Sequence, residues 1–199
     1  MLDIASESTQ DNRPAIVICA WDIDDGSVDL IEDLSGQAWS PAGARTIAVP
    51  ASDPDSLASI LSSHLSDQRC RALLLVGRTR RSEGFRLQMR AESRSVDGSQ
   101  KLDGVGPSVA RATAPVSEIV RALNEAGMAA DASSDAEDDV GSYLLYRVLS
   151  NLPEGIDTPA VGLLRAPQHE PDAAVREAVK TAAQAMARHM SPLPRSRGI

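Results

Sequence analysis

Aromatic residues are nearly missing from the sequence: one Phe, two Tyr and two Trp, 3% of 199 residues. Leu, Val, Ile and Ala must therefore build the core. They supply most of a 42% hydrophobic content that favours a folded globule over a disordered chain. Cysteine is as scarce. Cys19 and Cys70 stand alone, too few for a secreted disulfide framework. No CxxC or Cys/His cluster supplies zinc ligands, so neither a metal nor a cofactor is expected. Long basic runs are missing too, and the formal net charge is -8. A nucleic-acid binder needs a Lys/Arg face to meet phosphates, so no nucleic-acid partner is expected. No apolar run reaches the ~18–20 residues that span a bilayer. Residues 1–14 are polar and acidic, unlike a signal peptide. The expectation is a cytoplasmic chain with no membrane partner.

What is present is an alternation of buried strands and amphipathic helices. Ala15–Trp21 and Ala72–Val76 are short unbroken apolar runs, as in strands covered on both faces, the second ended by Gly77. Arg45–Val49 and Ala129–Ser133 read as further short strands, and Ala160–Leu164 as another buried one. Asp53-Pro54 opens a helix, with Asp53 as cap and Pro54 at the first helical position. Leu57, Ile60, Leu61 and Leu65 form its apolar stripe. Phe85–Ala91 alternates with the period of a half-exposed strand, antiparallel or at an edge, and Val96–Val109 reads as a long loop. Pro115 opens a second helix that Gly127 closes. Asp138 or Asp139 caps a third, running to about Asn151. The last runs from about Asp172 to Met190, with Val175, Val179, Ala182 and Met186 inward. Strands alternating with helices predict a single three-layer α/β/α domain over 15–190 with a mostly parallel mixed sheet. A loose arm, 1–14, and a tail, 191–199, flank it.

Three stretches in order resemble the pyroglutamyl-peptidase I family, the pyrrolidone-carboxylate peptidases. Leu73–Ser93 (LLLVGRTRRSEGFRLQMRAES) is similar to the family's strand, glycine turn and Glu-Arg-x-Ala-x-Asn strand. Val116–Leu149, with EIVRALNEAGMAA and VGSYLLYRVL, is similar to its helix and Ala-Gly-Thr-Tyr-Leu-Cys-Asn nucleophile motif. Val161–Pro167 (VGLLRAP) is similar to its Gly-Phe-Ile-His-Val-Pro strand. The family's glycine-rich loop after the first strand has no counterpart in Asp22–Gly36. The resemblance implies a cysteine-peptidase scaffold and a homo-oligomer, and it places Leu145 at the nucleophilic cysteine, Arg165 at the histidine and Gln88 at the acidic residue. Leucine has no lone pair for a covalent step. Arginine stays protonated and cannot act as base, and neutral glutamine cannot stabilise an imidazolium. Asp135, Glu137, Asp138 and Asp139 before the third helix would also raise a nearby thiol's pKa.

The resemblance thus implies a catalytically inactive homologue, a scaffold that binds a small molecule, a peptide or a protein. The alternative is a pyroglutamyl or related amide hydrolase whose chemistry moved to Cys19, Ser142 or His169. A third reading is a subunit that pairs with an active relative. Each candidate also has a plainer reading. Arg165 can bind an anion or pair with a nearby acid. Gln88 can meet a ligand amide or lie solvated on an open strand face. Trp21 can wall a ligand pocket or pack in the core, and Leu145 and Tyr146 can line a pocket or pack a helix. Cys19 in an apolar strand is inert when burial raises its pKa. Ser142 helps cap its helix, and His169 sits in a surface loop. The acidic cluster 135–139 matches no calcium loop and reads as a solvated cap.

Overall fold

A computed structural model of the chain describes residues 11–21, 34, 38–96, 101–102, 106–152 and 158–190. Most of the arm, all of the tail and nearly all of Asp22–Gly36 lie outside the described residues. In chain order the elements are β1 (Ala15–Ala20), β2 (Arg45–Ala48), α1 (Pro54–Ser66), β3 (Cys70–Thr79), β4 (Phe85–Gln88), β5 (Arg90–Glu92), β6 (Val109–Arg111), α2 (Val116–Glu125), β7 (Ala130–Ser133), α3 (Val140–Ser150), β8 (Ala160–Pro167) and α4 (Asp172–Met190). Six strands form one sheet in the order β2-β1-β3-β8-β4-β7. β2, β1, β3 and β8 run parallel, while β4 pairs antiparallel with β8 and parallel with β7.

The two-residue period of the strands divides the core. Ile16, Ile18, Leu74 and Leu164 pack toward α2 and α4. Val17, Cys19, Leu73 and Leu163 pack on the opposite face with residues of α1 and α3. The expected three-layer α/β domain is the fold observed. By the same alternation Arg165, two residues beyond Leu163, and Gln88, out of step with Phe85 and Leu87 of the first face, point toward α3.

Local chemistry sets the helix ends. The Asp53 carboxylate accepts from the Ser56 N–H at 3.1 Å and Pro54 occupies the first turn of α1. Beyond α2, Gly127 takes a φ of 81°, the left-handed conformation that ends a helix at little cost only in glycine.

Four expectations need correction. Gly77 does not end β3, because β8 runs on to Pro167 and offers backbone partners as far as Thr79. Ile60 is 43% exposed. At 100° per residue it falls roughly 110° from the centre of the stripe formed by Leu57, Ala58, Leu61 and Leu65. β4 is antiparallel as expected, but it lies between β8 and β7 and not at an edge. Its alternation breaks at Met89, whose N–H donates to the Ser133 carbonyl at 2.8 Å. The chain then leaves the main sheet, and Arg90–Glu92 pairs with Val109–Arg111 in a separate ribbon, so Val109 begins a strand where a loop was expected. Among the described residues no helix is long and apolar enough to cross a membrane.

Candidate functional site

Among the described residues Arg165 is the largest fully buried side chain, 1% exposed in a strand otherwise made of apolar residues and glycine. A guanidinium out of water costs several kcal/mol unless paired and hydrogen-bonded. The partners come from three elements. Asp139, at the N-cap of α3, accepts from Nη1 through Oδ2 at 2.6 Å and from Nη2 through Oδ1 at 2.9 Å, the two-pronged geometry that suits carboxylate and guanidinium. Gln88 Oε1, from β4, accepts from Nε at 2.9 Å, and Ser142 Oγ, in the first turn of α3, accepts from Nη2 at 3.0 Å. Glu137 Oε1 lies 3.6 Å from Nε and accepts from the Thr79 hydroxyl at 2.7 Å.

Each partner is in turn held. Asp139 also accepts from the Ser142 N–H at 2.9 Å, so one carboxylate caps the helix and neutralises the arginine. Gln88 Nε2 donates to the Arg90 carbonyl at 2.8 Å and to Ser142 Oγ at 3.0 Å. A neutral amide accepts from the cation and donates to two oxygens at once, which an ionised glutamate could not. Ser142 Oγ receives donors from both Gln88 and Arg165, so its two lone pairs are occupied and it is poorly placed to attack anything.

Several expectations are settled by this geometry. Gln88 is 1% exposed and not solvated, because its strand face meets the first turn of α3. Ser142 is not the helix cap, since Asp139 holds that place. Asp139 and Glu137 form the ion-pair cluster around Arg165, so the acidic segment is not simply a solvated cap. Leu145, one turn beyond Ser142, is fully buried in the apolar cluster between sheet and helix.

Trp21 continues β1 into this region. Its N–H donates to the Val76 carbonyl at 3.2 Å, and its ring lies against two glycines. A Cβ at Gly141 would lie 2.7 Å from the indole, and one at Gly77 closer still. Both positions need glycine to admit the ring. The indole Nε1 is buried with no hydrogen-bond partner among the described residues.

The relocated-chemistry candidates do not meet. Cys19 is fully buried, and burial pushes its thiol up to about 12. His169 is exposed in the turn between β8 and α4. Among the described residues no imidazole bonds Ser142 or Cys19. A small cleft opens beside the cluster, lined by Glu92, Arg94, Ser95, Glu137, Asp138 and Tyr143 among others.

Solved structures share this arrangement of elements. Pyroglutamyl peptidase I from Bacillus amyloliquefaciens superposes with a TM-score of 0.71 at 19% identity, over 88% of this chain and 98% of its own. A mutant pyrrolidone carboxyl peptidase from the hyperthermophile Pyrococcus furiosus gives 0.71 at 16%, over 89% and 100%. That from Thermus thermophilus gives 0.65 at 21%, over 86% and 99%. The chain has the pyroglutamyl peptidase I fold. No family model and no curated protein matches the sequence.

On the pyroglutamyl peptidase I fold this sequence brings Gln88 and Arg165 into direct contact and holds Leu145 one helical turn from their shared partner, Ser142. Sequence reasoning found the arginine and the glutamine and narrowed the cap to Asp138 or Asp139, but not that these residues form one cluster. One signal was available. An arginine inside an apolar strand needs an acid within reach, and the nearest acidic run in the family-like order is 135–139.

Proposed function

We propose that the chain is a catalytically inactive homologue of the pyroglutamyl peptidases, a cytoplasmic scaffold that acts by binding a ligand or a protein partner. One observation carries the reading. The cation at the position matched to the family's histidine is buried and locked by Asp139, Gln88 and Ser142. With that match, Leu145 stands for the cysteine and Gln88 for the acidic residue. The matched trio then offers no lone pair for attack, no proton acceptor and no charge to orient an imidazole. Loss of a single triad nucleophile in a serine protease lowers turnover on the order of a millionfold, and here every position of the triad is changed.

Turnover of a fluorogenic pyroglutamyl-coumarin substrate tests the reading, with the intact chain and with Ser142→Ala and Cys19→Ala side by side. Release no faster than the buffer blank is expected from all of them. Release by the intact chain that vanishes in either variant would mean a relocated active hydrolase. Homo-oligomerisation, which the resemblance implies, belongs to the same proposal, and light scattering on the purified chain measures it.

A further inference from the structure

The ribbon formed by β5 and β6 carries a charge pattern that the fold does not need. Its register sets Arg90 opposite Arg111, Ala91 opposite Ala110 and Glu92 opposite Val109. The two alanines are buried. The Tyr146 hydroxyl donates to the Pro107 carbonyl at 2.8 Å, fastening the ribbon to α3. The alternate residues therefore face outward. Just beyond, Arg94 stands opposite Lys101 in an antiparallel bridge. Like charges directly opposite destabilise an antiparallel pair, and this short excursion has two such pairs in a chain of net charge -8.

Neighbouring acids balance only part of this charge. The Glu92 carboxylate lies 3.0 Å from Arg94 and 3.8 Å from Arg90, and Asp138 lies 3.5 Å from Arg94. Arg111 and Lys101 have no ion-pair partner among the described residues. A second observation comes from the apolar side chains. Of the three large ones exposed among the described residues, Met89 at 37% and Val109 at 41% lie on or beside this ribbon. A bare anion would use only the cations. Cations interleaved with exposed apolar groups suit a protein segment that presents both kinds of side chain, because apolar burial then adds to charge pairing.

We propose that the outer face of the β5–β6 ribbon is a docking surface for an acidic segment of a partner protein. Its carboxylates would meet the Arg90–Arg111 and Arg94–Lys101 pairs, and an apolar residue would cover Val109, which lies on the same face. A nucleic acid is the less fitting occupant, because four cations in an acidic chain fall short of the Lys/Arg face that phosphates require. The proposal does not depend on whether the buried Arg165 centre is inert.

Fluorescence anisotropy on the intact chain tests it, with a labelled peptide of alternating Glu and Val, a matched Lys/Val peptide, and inorganic polyphosphate as competitor. The Glu/Val peptide is expected to bind, more weakly as salt rises, and the Lys/Val peptide is not. Arg111→Glu is expected to weaken binding about tenfold or more, the size of one lost charge pair. Val109→Ala is expected to weaken it severalfold. Arg111→Glu should melt no lower than the parent, because the new carboxylate faces Arg90. No binding, binding untouched by Arg111→Glu, or equal binding of both peptides overturns the proposal. So does a lowered melting temperature in Arg111→Glu, which would assign Arg111 to the fold. Displacement of the peptide by polyphosphate combined with indifference to Val109→Ala also overturns it, in favour of a general anion surface.

Discussion

Replacing Asp139 by alanine removes the fork from Arg165 and the cap from α3 in one step. Breaking a buried pair by deleting one member costs about 3–5 kcal/mol, because the remaining charge is stranded. Losing a side-chain cap adds about 1 kcal/mol. Glu137 stands 3.6 Å from the guanidinium and offsets part of the first figure, so Asp139→Ala should cost about 4 kcal/mol in all. That is a large share of the roughly 5–15 kcal/mol that holds a domain together. The reverse deletion is milder. In Arg165→Met the stranded group is Asp139, whose side chain is 24% exposed. It can regain water and still cap α3, so about 1–2 kcal/mol is expected. The double variant Arg165→Met with Asp139→Ser removes both charges and keeps a capping oxygen, and should lie within about 1 kcal/mol of the parent. Urea unfolding followed by circular dichroism reads all three, at unchanged slope against denaturant. The reasoning fails if Asp139→Ala costs under about 1 kcal/mol, or if Arg165→Met proves the costlier of the two single changes.

Other consequences are open to direct measurement. Gly141→Ala drives a Cβ into the Trp21 ring and should cost about 1–3 kcal/mol, as overpacking does. Combining it with Trp21→Leu should recover part of that loss in thermal melts. Burial raises Cys19 from an ordinary 9.0 to about 12 and Cys70 to about 11. Under about pH 8 both thiols are protonated whether the chain is folded or not, so they add almost no pH dependence there. Above it the unfolded chain loses protons that the fold retains, and stability should fall as pH climbs toward 12. That fall should be shallower in Cys19→Ala, as melting temperature against pH would show. Leu145→Cys should release no coumarin from a pyroglutamyl substrate, because Arg165 cannot take the thiol proton and Asp139 and Glu137 disfavour a thiolate.

The parallel strands were legible because burial on both faces leaves a continuous apolar run, as in AIVICA and ALLLV. The caps at Asp53 and Asp139 were legible because capping is local chemistry. The pyroglutamyl-peptidase-like order of motifs pointed to the same sheet with its antiparallel β4. Less was visible where tertiary contact overrides a local pattern. Arg86, Gln88, Arg90 and Glu92 alternate with apolar neighbours and read as one open polar face. Of the four, Gln88 is the one that is fully buried and bonds Ser142 in the first turn of α3, and no periodicity shows that. β5 and β6 are three residues each, too short for a pattern of their own. Ile60 was assigned to the wrong side because its spacing from Leu57 is helical while its angle to the whole stripe is not.

The proposed inactivity of the Arg165 centre is tested most directly by intact mass after incubation with pyroglutamyl chloromethyl ketone. The expected result is an unmodified mass under native conditions, with alkylation of Cys19 and Cys70 appearing only after denaturation. A stoichiometric native adduct mapped to Cys19 or Ser142 would contradict it.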